Sequence, residues 1–502
     1  MRSGKRFALP MFALVVTILA VVPIGAASPP PEDTPDRPHS DNMRLDGASL
    51  RPGAVTGPPP TGPGTVPWDT RNTDLAFWGT RVIQGRYDGF RIVDISNLKK
   101  PEEIAYFQCV SPQGDIGVYG NLVFRSVDSP QRTDGCTTSS QSGSPTDCTP
   151  VPAPCTGFEG IQIFDIANLN DIKLIASVAL DCGSHTHTVV PDEENDRVLL
   201  YNSVSGNGLQ ANPGKYGNRC PGPPFNREDI VEVPLDDPAS AELLGSFDLG
   251  EHEGDPVEIC HDFGVILGDV NKGACAGHGI SVFDLTDPAN PEHLYTTTAP
   301  TVDRFHSAAF TWDGKIIISG WEPGGGTEPR CQATGATTGF PTGQSQTEEM
   351  KTAWFHDAET GEIIGKYVLP RPQSQWENCT VHNYNIVPST KRYLLVHGSY
   401  QSGTALVDFT DPDNAYEIAW MDPLPLDPPS PTDPAAGGRP TYRGGDWASY
   451  WYGGEIIESD TRRGLYIWSV KAQELKPHKI KTEYLNPQTQ HFSINDRGRR
   501  VD

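Results

Sequence analysis

Several common sequence signatures are absent from this chain of 502 residues. No two cysteines are spaced as C-x-x-C, which leaves a zinc ribbon or a thioredoxin-type redox site without support. No G-x-S-x-G motif is present, so the nucleophile of an α/β-hydrolase has no position in the chain. Helical periodicity is almost absent, whereas short runs of alternating apolar and polar residues are frequent. This pattern excludes a helical bundle and predicts an all-β fold.

Basic residues are scarce as well. The chain has 39 Lys and Arg against 64 Asp and Glu, and its formal net charge is -25. A surface of this charge repels the phosphates of nucleic acids and anionic lipid headgroups. We therefore expect no nucleic acid among the partners of this protein.

Long apolar runs are equally scarce. The one that stands out, Phe7–Val22, follows a basic N-terminus and precedes small residues that end at Ala27. This order predicts a signal peptide over residues 1–27, cleavage near Ala27 and a secreted protein. No later run approaches about 18 residues, so we expect no stable membrane span in the mature chain.

Two flanking segments have too few apolar residues to predict a packed core. Residues 28–68 are rich in Pro and Gly and predict a disordered leader, and residues 487–502 predict a polar tail. The predicted folded domain spans residues 69–486.

Ten cysteines are present. In a secreted chain, an even number of cysteines predicts disulfide bonds rather than free thiols, although the sequence does not fix their pairing. Cys182, Cys260 and Cys379 each lie within three residues of one of the histidines discussed below. Thiolate ligation of a metal is the alternative there, but a disulfide is favoured.

A repeated pattern runs through the central part of the chain. Four clear copies combine a glycine, alternating apolar residues and an aspartate that begins a turn: DGFRIVDISN (88–97), EGIQIFDIAN (159–168), HGISVFDLTD (278–287) and SGTALVDFTD (402–411). Three weaker copies lie at residues 229–237, 351–359 and 463–470. A hairpin precedes each copy and another short β-like run follows it, so each unit holds four short strands. Seven such units predict a seven-bladed β-propeller.

The units average about 60 residues, longer than a minimal blade of ~40–45 residues, so they contain insertions. Long loops at residues 128–158, 205–227 and 322–350 separate second from third strands. We expect these loops on the top face of the propeller, around the mouth of its axis. The closure of the ring stays open: the outer strand of blade seven is either His478–Tyr484 or a part of the N-terminal segment.

Four histidines occupy one matching position, each at the start of the run that opens a blade: His185, His261, His306 and His382. First strands of a propeller converge on the axis, so these imidazoles are expected to meet there. Imidazole is the commonest metal ligand and suits several transition metals. We predict a metal site, with Fe or Cu favoured and Zn or Mn as alternatives. The competing interpretation is that each histidine only bonds backbone groups where its strand begins.

Four other residues are predicted to support this site. Asp74 and Asp115 open the first two blades and Asp446 opens the seventh, where carboxylates can orient imidazole N–H groups. His187 lies two residues after His185, on the same side of the strand, and either lines the cavity or packs in the core. The sequence assigns no catalytic residue.

The repeats FRIVDI, IQIFDI, ISVFDL and TALVDF resemble the LVIVD-repeat family of exported bacterial proteins. The resemblance implies a β-propeller over most of residues 69–486, and it implies no single reaction. The four-histidine set is similar to that of two metallopropeller families. One is the carotenoid cleavage oxygenases, which hold iron with four histidines. The segment CHDFGVI of this chain resembles the segments that carry their ligands. The other is the selenium-binding or methanethiol oxidase proteins, which are associated with copper. Carried over, these similarities imply that the four histidines are metal ligands.

We therefore predict an exported β-propeller with a metal-dependent oxidoreductase or oxygenase activity on a small organic substrate. The alternative is a non-catalytic secreted or cell-surface protein that presents its looped face to a partner or a surface ligand. The two hypotheses differ in whether a transition metal is bound.

Overall fold

The structure, a computed structural model, describes most of the chain from residue 37 onward. The described ranges are 37–51, 71–131, 134–136, 158–204, 225–322, 348–373, 377–423, 444–475, 483–494 and 500–501, apart from residues 112, 301 and 303. The predicted signal peptide and most of the predicted top-face loops lie outside the described residues.

Seven sheets, each with four antiparallel blade strands and numbered here as blades one to seven, account for most of the described residues. A two-residue strand of the C-terminal segment adds a fifth strand to blades one and four. The strands of each blade are given from the first to the fourth. Blade one contains Asn72–Trp78, Arg81–Arg86, Gly89–Asp94 and Glu102–Gln108, and blade two contains Ile116–Tyr119, Leu122–Gln131, Phe158–Asp165 and Lys173–Ala179. Blade three contains Thr186–Asp192, Arg197–Ser203, Arg227–Pro234 and Glu242–Asp248. Blade four contains Cys260–Ile266, Lys272–Gly277, Gly279–Asp284 and Glu292–Thr297, and blade five contains Phe305–Phe310, Ile316–Trp321, Thr352–Asp357 and Ile363–Val368. Blade six contains Asn383–Ile386, Leu394–Gly398, Thr404–Asp408 and Tyr416–Met421. Blade seven contains Asp446–Tyr452, Glu455–Asp460, Gly464–Val470 and Met43–Leu50.

The remaining described elements are short. Two-residue strands are Glu251–His252, Asp255–Pro256, Tyr484–Leu485, Thr489–Gln490, Ser493–Ile494 and Arg500–Val501. Single 3-10 turns are Glu193–Asn195, Pro238–Ser240, Glu348–Lys351 and Pro412–Asn414.

The sheets form a closed ring. First strands of neighbouring blades contact one another, including those of blades seven and one. First strands such as Phe305–Phe310 are buried, whereas fourth strands such as Glu242–Asp248 are mostly exposed, so the first strands surround the axis. Apolar side chains fill the spaces between blades, as where Ile163 of blade two packs in one cluster with Val189 and Leu200 of blade three. These features confirm the predicted all-β, seven-bladed β-propeller.

The glycine and the aspartate of the repeat each have a structural cause in the third strands. Gly89, at a φ of +142°, approaches its neighbouring strand so closely that a Cβ atom would collide with the carbonyl of Phe107. Asp94, at the other end of the strand, accepts a hydrogen bond of 2.8 Å from the backbone N–H of Ser96. This Asx turn ends the strand. The same turn follows the matching aspartates Asp165, Asp284 and Asp408.

The N-terminal segment closes the ring. Met43–Leu50 pairs antiparallel with Gly464–Val470 as the fourth strand of blade seven. The prediction of a disordered leader over residues 28–68 is therefore wrong for this stretch, and of the two alternatives for the outer strand of blade seven the N-terminal segment supplies it. Most of the other alternative, His478–Tyr484, lies outside the described residues. The strand escaped prediction because a fourth strand buries few side chains and needs no strict apolar alternation.

Arg37 fastens the same segment to blade seven. Its guanidinium is buried and forms ion pairs of 2.6 Å with both Glu458 and Asp460. It also lies 3.6 Å from the ring centroid of Tyr466. A charge buried to this degree is stable only with such partners.

The C-terminal segment closes one end of the axial channel. Residues 483–492, here called the axial plug, cross the channel and bond the first strands of several blades. Asn486 donates to the carbonyl of Val118 and accepts from its N–H, both at 2.8 Å. Thr489 donates to the carbonyl of Val189 at 2.6 Å, and Gln488 accepts from the N–H of Val265 at 2.8 Å. These partners lie towards the ends of the first strands, so the plug lies opposite the face where those strands begin.

The axial plug includes the first residues of the predicted polar tail over residues 487–502. Thr489–Gln490 pairs in parallel with the first strand of blade four, and Phe492 packs against Trp312 with ring centroids 4.6 Å apart. The segment is polar because it binds the ends of strands through backbone and amide hydrogen bonds rather than through apolar burial.

Candidate metal centre

The four predicted histidines lie side by side along one wall of an axial cavity. The ring centroids of His185 and His261 are 4.6 Å apart, those of His261 and His306 are 4.1 Å apart, and those of His306 and His382 are 4.3 Å apart. All four line a cavity of about 270 Å³ on the face where the first strands begin. They form a row across blades three to six, and blades seven, one and two complete the wall.

Local backbone irregularities place two of these histidines. The pairing of first and second strands skips His261 in blade four and His306 in blade five, so each is the extra residue of a β-bulge. A bulge redirects the side chain that it carries. Ile259, two residues before His261, has a φ of 68°, a conformation that is strained for a β-branched residue. Such strain persists where surrounding contacts fix the backbone, which is common at functional sites.

Glu322 joins the histidines from the end of the second strand of blade five. Its Oε2 lies 3.6 Å from Nε2 of His306. One potential ligand atom from each of His261, His306 and Glu322 lies within 4.8 Å of the other two, and all three residues are buried. Two nitrogens and one carboxylate oxygen form the donor set of mononuclear non-haem iron sites.

Tyr400 fixes the Glu322 carboxylate. Its hydroxyl donates a hydrogen bond of 2.9 Å to Oε1 of Glu322. Tyr400 has a left-handed φ of 46°, and its N–H and carbonyl both bond the backbone of Asp446. The ring of Tyr400 also lies 4.3 Å from the ring of His382 and continues the row of aromatic rings.

Hydrogen bonds determine which nitrogens carry lone pairs. Nδ1 of His382 lies 2.7 Å from the carbonyl of Trp447, so Nδ1 donates and Nε2 is the unprotonated nitrogen. The Ser307 hydroxyl lies 3.1 Å from the carbonyl of His382, to which it can donate, and 2.5 Å from Nδ1 of His306. When Ser307 donates to that carbonyl, Nδ1 of His306 is the donor to the hydroxyl oxygen, and the lone pair of Nε2 faces the Glu322 carboxylate.

Burial keeps these imidazoles neutral. It lowers the pKa of His261 and of His306 well below the ordinary value, and the neighbouring histidines and Arg304 lower it further. Burial also lowers the pKa of His382. Within the described residues, Nδ1 of His261 is buried and has no hydrogen-bond partner. Neutral imidazole is the form that binds metals.

His185 differs from the other three. Burial lowers its pKa, but the carboxylate of Asp128, 3.0 Å from its Nδ1, more than offsets this, so the pKa lies above the ordinary value. Asp128 thus plays the orienting role that we predicted for other carboxylates. Metal ligation by His185 and His382 stays a prediction.

Asp74 and Asp115 line the cavity below the histidines rather than bonding their rings. Oδ1 of Asp74 accepts a hydrogen bond of 2.6 Å from the hydroxyl of Tyr450. Oδ2 of Asp115 accepts one of 2.9 Å from the N–H of His187. With Asp262, which also lines the cavity, they form an acidic floor. Burial and then mutual repulsion raise the pKa of Asp115 well above its usual range, and that of Asp262 to about 7.

The other two predicted supporting residues point elsewhere. His187 packs between blades two and three with Nδ1 2.8 Å from the hydroxyl of Ser126, and burial lowers its pKa to about 3. Asp446 accepts hydrogen bonds from the hydroxyls of Thr404 and Ser449 at 2.5 and 2.6 Å. Neither residue lines the cavity.

Disulfides support the predicted oxidised state of the cysteines. Cys260, next to His261, pairs with Cys275 across the first two strands of blade four. Cys109 pairs with Cys136, and no cysteine in the described ranges is free.

Glu322, Asp128 and Tyr400 were missed by the sequence analysis. Each lies where a second strand returns to the face on which the first strands begin. A polar residue at this return is the signal that could have found them, because an antiparallel hairpin brings it beside the start of a first strand.

Neither a scan of protein-family models nor a search of the curated proteins finds a match to this chain. In the described ranges, no helix is long and apolar enough to cross a membrane.

Proposed function

We propose that the axial cavity binds a transition metal ion through His261, His306 and Glu322, and that the protein is a metal-dependent oxidoreductase or oxygenase. His185 and His382 are the further ligands that the sequence predicts. Fe and Cu are the favoured ions, and Zn and Mn are the alternatives.

The observation that carries this proposal is the pair His306–Glu322. Nε2 of His306 and Oε2 of Glu322 lie 3.6 Å apart in a buried site, and one potential ligand atom of His261 lies within 4.8 Å of both residues' ligand atoms. Burial lowers the pKa of His306 well below its ordinary value, so its imidazole is neutral and offers one nitrogen lone pair. A metal ion bonded to both atoms at about 2.1 Å fits the observed separation.

The surrounding residues supply binding and orientation. A bound Fe or Cu ion supplies redox chemistry and a coordination position for a small molecule. Tyr400 holds the Glu322 carboxylate, and the carbonyl of Trp447 holds the ring of His382, so neither ligand reorients freely. Gln488 of the axial plug lines the cavity, so the plug closes the cavity at the end opposite the face where the first strands begin. A substrate therefore enters on the face where the first strands begin.

Export and family membership are part of the same proposal. The Phe7–Val22 run, the disulfides and the acidic surface support a secreted protein. The four clear repeats all form third strands of blades, in agreement with the LVIVD-repeat resemblance.

Oxygen uptake tests the proposed activity. The untagged protein, loaded separately with Fe(II) and Cu(II), is assayed with a panel of small organic reductants. We expect metal-dependent oxygen consumption that falls at least about 100-fold in Glu322→Gln, because one ligand is neutralised. Metal-loaded protein that consumes no oxygen with any reductant would instead support the binding-protein alternative.

A further inference from the structure

Arg304 sets the cavity apart from a simple cation site. It lies at the start of blade five, two residues before His306, and lines the cavity. His261 and His306 line the same cavity, and the positive charge of Arg304 lowers the pKa of both. It forms no ion pair or hydrogen bond with any residue in the described ranges.

This arginine is unusual for its surroundings. The chain carries 64 acidic residues against 39 basic ones, so a carboxylate partner would be easy to provide. A cation beside the ligands of a metal ion also weakens metal binding by repulsion. Glu322 carries only one of the two negative charges that would balance a divalent ion, and Asp128 is already paired with His185. The carboxyl groups of the acidic floor have raised pKa values, so they supply less negative charge than their number suggests. An anion that enters from outside would complete this balance.

A second arginine lies on the same face. Arg71, directly before the first strand of blade one, lines the cavity, and its guanidinium lies 4.7 Å from the ring centroid of Tyr87. Both arginines precede their first strands, whereas Asp74 and Asp262 lie within theirs. The cavity therefore carries two arginines near its mouth, beside Glu322 and Asp128, and three aspartates at its floor.

The rest of the mouth is aromatic. Tyr87, Tyr400 and Trp447 line the cavity, and Trp447 meets the other two edge-to-face at 6.5 and 6.1 Å between centroids. Rings arranged this way bind flat apolar groups. The cavity volume of about 270 Å³ is below that of pockets for drug-sized ligands and suits a single-ring molecule.

We infer that the substrate of the proposed metal site is a small aromatic acid whose carboxylate binds Arg304 and whose ring lies against Tyr400 and Trp447. This inference rests on the proposed function, since it names the substrate class of the same site. A guanidinium forms two parallel hydrogen bonds with a carboxylate, which fixes the orientation of the ring relative to the metal ligands.

Calorimetric titration of benzoate and benzyl alcohol tests the inference. The two probes share a ring and differ in charge. The full chain is titrated both metal-free and loaded with Zn(II), which is redox-inert. We expect benzoate to bind more tightly than benzyl alcohol, and Arg304→Gln to weaken benzoate binding by about 10-fold or more, as for loss of a charge-assisted hydrogen bond. Arg304→Lys should restore part of the affinity, and the surface variant Arg44→Gln should bind benzoate like the wild type.

The outcomes separate the two proposals. Equal binding of both probes, no binding of benzoate, or an unchanged affinity in Arg304→Gln would overturn the aromatic-acid inference while metal binding remains intact. Absence of Zn(II) binding in the wild type would contradict the proposed function. The metal-free titration would still decide whether Arg304 binds an anion. Arg304→Gln should also retain or increase Zn(II) affinity, since a repelling charge is removed.

Discussion

The hydroxyl of Tyr400 donates a hydrogen bond of 2.9 Å to the Glu322 carboxylate, and it does so from a residue with a left-handed backbone. The two residues come from different blades, so this bond ties the end of a second strand in blade five to the turn after a second strand in blade six. The bond orients the carboxylate whose other oxygen faces His306.

Removal of this hydroxyl should weaken metal binding without unfolding the protein. Tyr400→Phe leaves Oε1 of Glu322 without its donor, and loss of a partner that orients a ligand costs about 10–100-fold in metal affinity. Competition with a chromogenic chelator measures the change. Tyr393→Phe removes a hydroxyl that donates to Asp313 outside the cavity and should leave the affinity unchanged. Equal affinities in both variants would show that Tyr400 does not act through Glu322.

The N-terminal segment should contribute strongly to stability. Arg37→Ala leaves the buried carboxylates of Glu458 and Asp460 without their shared partner, which costs about 3–5 kcal/mol of unfolding free energy. Arg44 in the same segment is an exposed ion-pair partner of Asp46, so Arg44→Ala should cost less than about 1 kcal/mol. Urea denaturation compares the two variants. A similarly small loss of unfolding free energy in both variants would mean that residues 37–50 do not close the ring in solution.

The axial plug should depend on Asn486. Its side chain satisfies both backbone groups of Val118, and Asn486→Ala leaves these buried groups unpaired at a cost of about 2–4 kcal/mol. Asn290→Ala, which removes an exposed bond to Asp287, is the matched control and should change stability little. Hydrogen exchange gives a local readout, because the amide of Val118 should lose protection only in Asn486→Ala.

Acid should destabilise the protein through buried histidines such as His356. Burial lowers its pKa to about 4, whereas an unfolded chain has a value of about 6.5. The unfolded state binds the proton more tightly, so stability is lost as pH falls from about 6.5 towards 4. His356→Gln cannot titrate at this position. When the pH is lowered from 7.5 to 4.5, the unfolding free energy of the wild type should therefore fall by about 2.5 kcal/mol more than that of the variant. Parallel stability curves for the two proteins would contradict this assignment.

The sequence predicts the propeller well because each blade repeats one local pattern. The glycine of the repeat is needed where third and fourth strands approach closely, and its aspartate is needed for the following turn, as at Gly89 and Asp94. Repetition also aligns the four histidines, since equivalent positions of a ring face the same axis. The position of a residue within its blade therefore predicts whether its side chain faces the axis, where the site lies.

Residues outside the repeat could not be predicted in this way. Met43–Leu50 and the axial plug bind through backbone and polar groups, so they lack the apolar alternation of a central strand. Glu322 and Asp128 border insertions whose lengths differ between blades. The bulges at His261 and His306 arise from pairing between strands, which no single run of residues specifies.

Metal content measured by mass spectrometry on the untagged protein tests the central claim most directly. After reconstitution and removal of loosely bound ions, the account predicts close to one transition metal ion per chain in the wild type and in a His278→Ala/His293→Ala control. It predicts almost none in a His261→Ala/His306→Ala variant that keeps the β-sheet circular dichroism of the wild type. Equal metal content in all three proteins, or none in the wild type, would contradict it.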